Sequence, residues 1–266
     1  MSFIDNYLSG NSAKVGLCVG VDPTPDILKN WGLNDSPESL LTYGKSVLEA
    51  VDGLVQVVKP QVAYFERFGP AGYSVLTSII AEARERGLLV IADAKRGDIG
   101  STVDAYAQAW LGESAPFRVD GITANPYLGF DSLEPLYRRA SDSGAYVFVV
   151  VRSSNPEGTR LQNTGEHPVW KALLDDLAEW TEKNDRTTVG AVVGATVVSD
   201  LDYALSSVED ALFLAPGIGK QGASMDDLKT ISTGQNRIIA TASRSVSEAG
   251  PCITDLREAI TTLVAN

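Results

Sequence analysis

Apolar residues in this chain gather into short unbroken runs, and between the runs they recur at helical spacing. Residues 15–21, 54–58, 88–92, 121–124, 145–151, 189–193, 211–214 and 237–240 form the runs. Short runs with little polar alternation mark parallel strands covered on both faces. Helical spacing follows over 37–51, with Ser36 placed to cap it, and over 71–86, where Gly87 stops it. It returns over 103–111, where Ser101 or Thr102 can cap, then over 133–139 and 169–182. Two more helices are expected, one from Met225 with Ser224 as its cap and one over 251–264. Eight strand patterns alternating with helices predict a parallel sheet, here a (β/α)8 TIM barrel, with residues 1–266 as a single domain. An open doubly wound sheet would normally announce a glycine-rich phosphate loop after its first strand, and Asp22-Pro23-Thr24-Pro25 is not one. The longest expected loop, 152–166, is polar and rich in turn residues, as functional loops often are.

Composition adds constraints on partners and compartment. With 44% hydrophobic and 21% charged residues, the chain reads as a soluble globular protein. No apolar run approaches the roughly 20 residues that span a bilayer. The first ten residues carry Asp5 and no basic-then-apolar signal pattern, and Cys18 and Cys252 read as reduced thiols, so a cytoplasmic location is expected. A net charge of −12 argues against nucleic acid as a partner. It also means that an anionic substrate needs a local positive site.

The chemistry concentrates at the ends of the runs. The third run stops abruptly in Asp93, Lys95, Arg96 and Asp98. Alternation along a strand puts Ile91, Asp93 and Lys95 on one side, so an acid and an amine stand together at the barrel mouth. Gly97 and Gly100 let the chain turn away after them. Asp22, Lys59, Asn125, Ser153 and Ser154 also follow runs, and the C-terminal strand ends of a barrel surround its active site. An arbitrary Asp-x-Lys is more often a salt-bridged strand end; several converging acids and amines favour catalysis. A second cluster follows the last two runs. There Pro216-Gly217-Ile218-Gly219-Lys220-Gln221-Gly222 can bring backbone N–H groups to an anion, and Arg244 can bind phosphate through two hydrogen bonds. His167, the only histidine, lies between Glu166 and Pro168 in a loop, which leaves little material for a Ser-His-Asp relay or a multi-histidine metal site. Lysines and aspartates acting on a phosphorylated small molecule, with no cofactor and no metal, remain.

Asp93-Ala94-Lys95-Arg96-Gly97-Asp98-Ile99 resembles the Asp-x-Lys-x-x-Asp signature of the orotidine 5′-phosphate decarboxylases. Val58-Lys59-Pro60-Gln61 with Ala63-Tyr64-Phe65-Glu66 is similar to the longer microbial subgroup of that family, and the resemblance covers nearly the whole chain. It implies a homodimeric barrel that converts orotidine 5′-monophosphate to UMP without a cofactor, the last step of pyrimidine synthesis. By matching motif it implies an alternating charged network of Lys59, Asp93, Lys95 and Asp98. Lys95 would be the proton donor and Asp98 would enter the neighbouring subunit's site. Asp22 and Thr102 resemble ribose contacts, with Lys59 also nearby. Ser154, before Asn155-Pro156, resembles the serine that reads the pyrimidine, and Gln221 and Arg244 resemble the phosphate ligands.

Three other readings share parts of this pattern. A related sugar-phosphate decarboxylase using Mg²⁺ and an enediolate carries the same signature, but with an acidic residue where Lys59 stands. A Schiff-base aldolase would need Lys95 neutral, and Asp93 and Asp98 oppose that, although Arg96 acts the other way. A catalytically silent phosphate-binding regulator could keep Gln221 and Arg244 but has little use for four alternating charges.

Overall fold

The computed structural model describes residues 2–10, 15–184, 188–232 and 236–265. The eight apolar runs become β1 (Val15–Val21), β2 (Val57–Pro60), β3 (Leu89–Arg96), β4 (Gly121–Ala124), β5 (Tyr146–Arg152), β6 (Val189–Val193), β7 (Phe213–Pro216) and β8 (Ile238–Ala242). Each strand pairs in parallel with the next, and β8 pairs with β1, so the sheet closes into the expected (β/α)8 barrel. Nearly every strand residue is buried because the two faces of the sheet serve two cores. One face packs against the surrounding helices: Val19, Val58 and Val90 share a cluster with Leu40, Leu76 and Leu136. The other fills the barrel with Cys18, Val57, Ile91, Phe148, Leu214 and Ile239.

The N-terminal mouth of the barrel is closed by a helix that the apolar pattern did not suggest. Phe3–Gly10 places Phe3 and Tyr7 in the inner cluster, and the Tyr7 hydroxyl donates to the Ile238 carbonyl at 3.0 Å. The opposite mouth is thereby left as the open end. No helix of the described residues is long and apolar enough to cross a membrane.

Strand ends lie further along the chain than hydrophobicity alone suggests. β2 reaches Lys59-Pro60, β7 reaches Pro216, β8 reaches Ala242, and β3 continues through Asp93 to Arg96. A ladder persists for as long as the backbone stays extended, whereas apolar side chains mark only its dry portion. The expected caps divide. Ser36 accepts from the Ser39 amide, and Ser224 forms a reciprocal capping box with Asp227. Ser101 and Thr102 do not cap: the helix spans Gly100–Trp110 with Ile99 before it, so both hydroxyls lie inside its first turn. The expected loop 152–166 contains the helix Pro156–Gln162. None of its side chains is buried, so it left no apolar period to read, and Pro156 at its first turn is the local cause.

Candidate active site

Asp93 is the centre of the open mouth. It is 8% exposed, and its carboxylate accepts four hydrogen bonds. Oδ2 takes Lys59 Nζ at 2.6 Å and Gln61 Nε2 at 3.1 Å; Oδ1 takes Lys95 Nζ at 2.6 Å and the Thr123 hydroxyl at 2.9 Å. Those four occupy the lone-pair positions an ionised carboxylate offers. Burial pushes the Asp93 carboxyl up, but the Lys59 and Lys95 ammonium groups outweigh it and hold it well below the usual carboxylate range. Burial likewise opposes a charged Lys59, and Asp93 and Asp22 overcome it, leaving Lys59 above the ordinary lysine value. The site is thus a fixed pattern of charge, amine–acid–amine, with its partners supplied by three adjacent strands.

The two lysines differ in exposure. The Lys59 side chain is 5% exposed and the Lys95 side chain 50%, so Lys95 is the more open of the two to solvent. Cys18 lies in the barrel beneath, its thiol pushed up to about 12 by burial, and stays a neutral filler rather than a nucleophile.

Lys59 and Asp93 form one end of a cavity of about 290 Å³, whose other end is the expected anion cluster. Gly217, Gln221 and Arg244 line that end, and Asp22 lies between the two. Gly217, Gly219 and Gly222 have φ of 124°, 81° and 103°, a left-handed sequence that a side chain would strain and that folds the β7 loop back over the cavity. Lys220 of this loop is tied to Glu248 at 2.7 Å. Arg244 is exposed, with no ion pair among the described residues. Along the cavity wall, Asp22 Oδ1 and Thr241 Oγ1 are buried without hydrogen-bond partners, which suits a polar ligand. Burial raises the Asp22 carboxyl above its usual range, with Lys59 opposing. A larger hollow of about 510 Å³, lined by residues such as Leu17, Leu54 and Met225, opens at the opposite, N-terminal end, away from the acid–amine network.

Asp93 therefore contacts both Lys59 and Lys95, and Asp22, Gln221 and Arg244 share the cavity that Lys59 and Asp93 line. Lys95 itself does not line it, and neither do Ser154, Thr102 and Asp98. Ser154 is half-buried where the chain passes Gly194, whose missing Cβ would come within 3.0 Å of it. Thr102 is exposed on its helix. Asp98 Oδ1 accepts from the Ile99 amide at 2.8 Å, and Asp98 makes no ion pair with Lys59 or Lys95 of its own chain. Gly97 explains the turn: a Cβ there would sit 2.2 Å from the Asn125 carbonyl oxygen, so the chain leaves β3 hard against the β4 loop. Asn125 and Ser153, also read as strand-end polar residues, serve their loops. Asn125 Oδ1 accepts from the Tyr127 amide, while Ser153 bonds Asn155 and Gln162. Gln162 accepts in turn from Arg152, which Asp200 holds at 2.8 Å, so Arg152 and Gln162 brace this segment. Gln61 and Thr123 were missed because their part in the site comes from cross-strand register, which a single chain pattern does not display.

Fold and site together define a class: (β/α)8 barrel enzymes whose C-terminal mouth carries a buried acid–amine network in a pocket also lined by Gln221 and Arg244. Within that class, residues 16–259 match the model of the orotidine 5′-phosphate decarboxylase/HUMPS family, and the chain belongs to that family. An orotidine 5′-phosphate decarboxylase from Myxococcus xanthus is 45% identical over 250 residues, covering 91% of this chain and 87% of the relative. Another, from Salinispora tropica, is 42% identical over 255 residues, covering 94% of this chain and 91% of the relative. Among solved structures, a protein from Streptomyces avermitilis is 39% identical with a TM-score of 0.89, covering 98% of this chain and 93% of that one. The OMP decarboxylase of Leishmania donovani is 29% identical with a TM-score of 0.79, covering 99% and 96%.

Proposed function

We propose that this chain decarboxylates orotidine 5′-monophosphate to UMP and CO2 in pyrimidine synthesis, without a cofactor and with Lys95 as the proton donor. The observation that carries the reading is Asp93, saturated by four donors and held between a buried and a half-exposed lysine. Loss of CO2 breaks the bond from C6 to the carboxylate carbon and leaves the electron pair on C6. The pyrimidine ring delocalises that pair poorly, so a fixed ammonium beside C6 lowers the barrier electrostatically and then delivers its proton there. Lys95 ends as an amine and regains a proton from water, which its half-exposed position permits. In this reading Asp93 stands next to the substrate carboxylate and adds ground-state repulsion.

The remaining residues bind the nucleotide. Gln221, Arg244 and the glycine-rich β7 loop take the phosphate; Asp22 and Thr102 take ribose hydroxyls, with Lys59 nearby; Ser154 reads the pyrimidine. Phosphate binding far from C6 contributes energy to organising the reacting end. The protein acts as a homodimer in which Asp98 serves the partner subunit's site. Support comes from Asp98, which accepts from the Ile99 amide and makes no ion pair with Lys59 or Lys95 of its own chain, and from exposed apolar side chains on the same loops, Ile99 after β3 with Tyr127 and Leu128 after β4.

The Mg²⁺-dependent sugar-phosphate chemistry found with the same signature needs carboxylate oxygens free for a metal. Here Lys59 and three other donors occupy Asp93. Decarboxylation is accordingly expected to survive exhaustive chelation, followed as UMP production with and without EDTA. Loss of activity restored by Mg²⁺ would favour the sugar-phosphate reading. Borohydride added with substrate is expected to leave no adduct on Lys95 by mass spectrometry, and a trapped adduct would revive the aldolase. Arg244→Ala is expected to raise KM and lower kcat/KM by about 2–4 kcal/mol, the loss of a charged phosphate contact. Steady-state kinetics within twofold of wild type would remove Arg244 from the phosphate site.

A further inference from the structure

The β3–β4 ladder breaks at the network, and one hydroxyl bridges the break. Ile91 and Ala92 pair with Gly121 and Ile122, and pairing resumes only at Arg96 against Ala124. Asp93, Ala94 and Lys95 thus lie opposite Thr123 alone, a bulge in β3. Lys95 takes up the excess chain with φ of 46°, a left-handed conformation that its Cβ disfavours. Such a residue persists only where its surroundings over-determine it. The Lys95 amide bonds to the Thr123 hydroxyl oxygen at 3.0 Å. That hydroxyl sends its own proton to Asp93 Oδ1 at 2.9 Å, the same oxygen that accepts Lys95 Nζ at 2.6 Å. Thr123 is 2% exposed, so water has little access to replace it.

We propose that Thr123 is a positioning residue for the Lys95 ammonium. Its oxygen fixes both ends of Lys95: the strained backbone directly, and the ammonium through the carboxylate that anchors it. The inference rests on the reading that Lys95 protonates C6, and it adds a residue that touches neither substrate nor product. A methyl in place of the hydroxyl removes both bonds at nearly constant volume. The Lys95 backbone is then released from its left-handed conformation, and Nζ moves relative to C6.

The test compares Thr123→Val and Thr123→Ser with the wild-type protein, measuring kcat and KM for orotidine 5′-monophosphate, the dissociation constant of UMP, and the melting temperature. Thr123→Val is expected to lower kcat roughly ten- to a hundredfold, the scale of an ångström-level misplacement at a reacting centre. KM and UMP affinity should change little, since the proposed phosphate ligands follow β7 and β8. Thr123→Ser, which keeps the oxygen, should restore most of kcat. If the valine variant does not fold, Thr123→Ala is read by the same criteria. An unchanged kcat overturns the inference. So does a variant that loses kcat, UMP affinity and melting temperature together and is not rescued by serine, because that pattern is a general loss of structure. A wild-type protein that makes no UMP from orotidine 5′-monophosphate sinks the functional reading itself and this inference with it.

Discussion

Lys95→Ala is expected to abolish turnover, by about 10⁴-fold or more, in a protein that stays folded and still binds UMP. Two contributions leave with the side chain. General acid catalysis is worth roughly 10²–10⁴, and a fixed charge at the developing anion about 10²–10³. Together they place the lost transition-state stabilisation at about 5 kcal/mol or above. The fold has little stake in this ammonium, because the side chain is 50% exposed and Asp93 keeps Lys59, Gln61 and Thr123 as donors. Lys95→Arg should not rescue the activity. Its guanidinium restores the positive charge, but it gives up a proton far less readily and has a different shape. Single-turnover rates, a UMP titration and a thermal melt decide the matter. A Lys95→Ala rate within tenfold of wild type would remove Lys95 from the chemistry.

The sequence and the structure agree most closely where burial and chemistry coincide. The barrel was legible because eight apolar runs alternate with helical spacing, and a closed parallel sheet buries every run on both faces. Asp93 and Lys95 were legible because an uninterrupted apolar strand ended in paired charges. Their geometry was not. Simple alternation puts Asp93 and Lys95 on one side, and they do meet, but through a bulge and a left-handed lysine rather than a regular pleat. Nothing in the residue types announces the extra chain length. Gln61 and Thr123 were equally silent as partners, since a polar residue at a strand end reads as a loop residue until register brings it to a carboxylate. The short helices Pro25–Asn30, Ala63–Glu66 and Arg244–Ser247 escaped for another reason: four to six residues complete too few turns for an apolar period to emerge.

Mixing two inactive variants is expected to recover about a quarter of wild-type activity, and this is the strictest test of the shared site. Lys95→Ala and Asp98→Ala should each be nearly inactive alone, since one lacks the proposed proton donor and the other the carboxylate proposed to flank it. Refolded together in equal amounts, they pair at random, and half of the dimers are mixed. Each mixed dimer has one site with both lesions. Its other site takes Lys95 from the Asp98→Ala chain and Asp98 from the Lys95→Ala chain, and is intact. One good site in half of the dimers gives roughly a quarter of the wild-type rate, as two-fold symmetry requires. The chain's own geometry favours this outcome. Asp98 follows Lys95 by three residues, yet it makes no ion pair with Lys59 or Lys95 of its own chain, and its Oδ1 accepts from the Ile99 amide. Were Asp98 to serve its own subunit, every site in every mixture would retain one lesion and mixing would restore nothing. Heterodimers confirmed by native mass spectrometry, with activity no higher than that of the separate variants, would refute the sharing of Asp98 across the dimer.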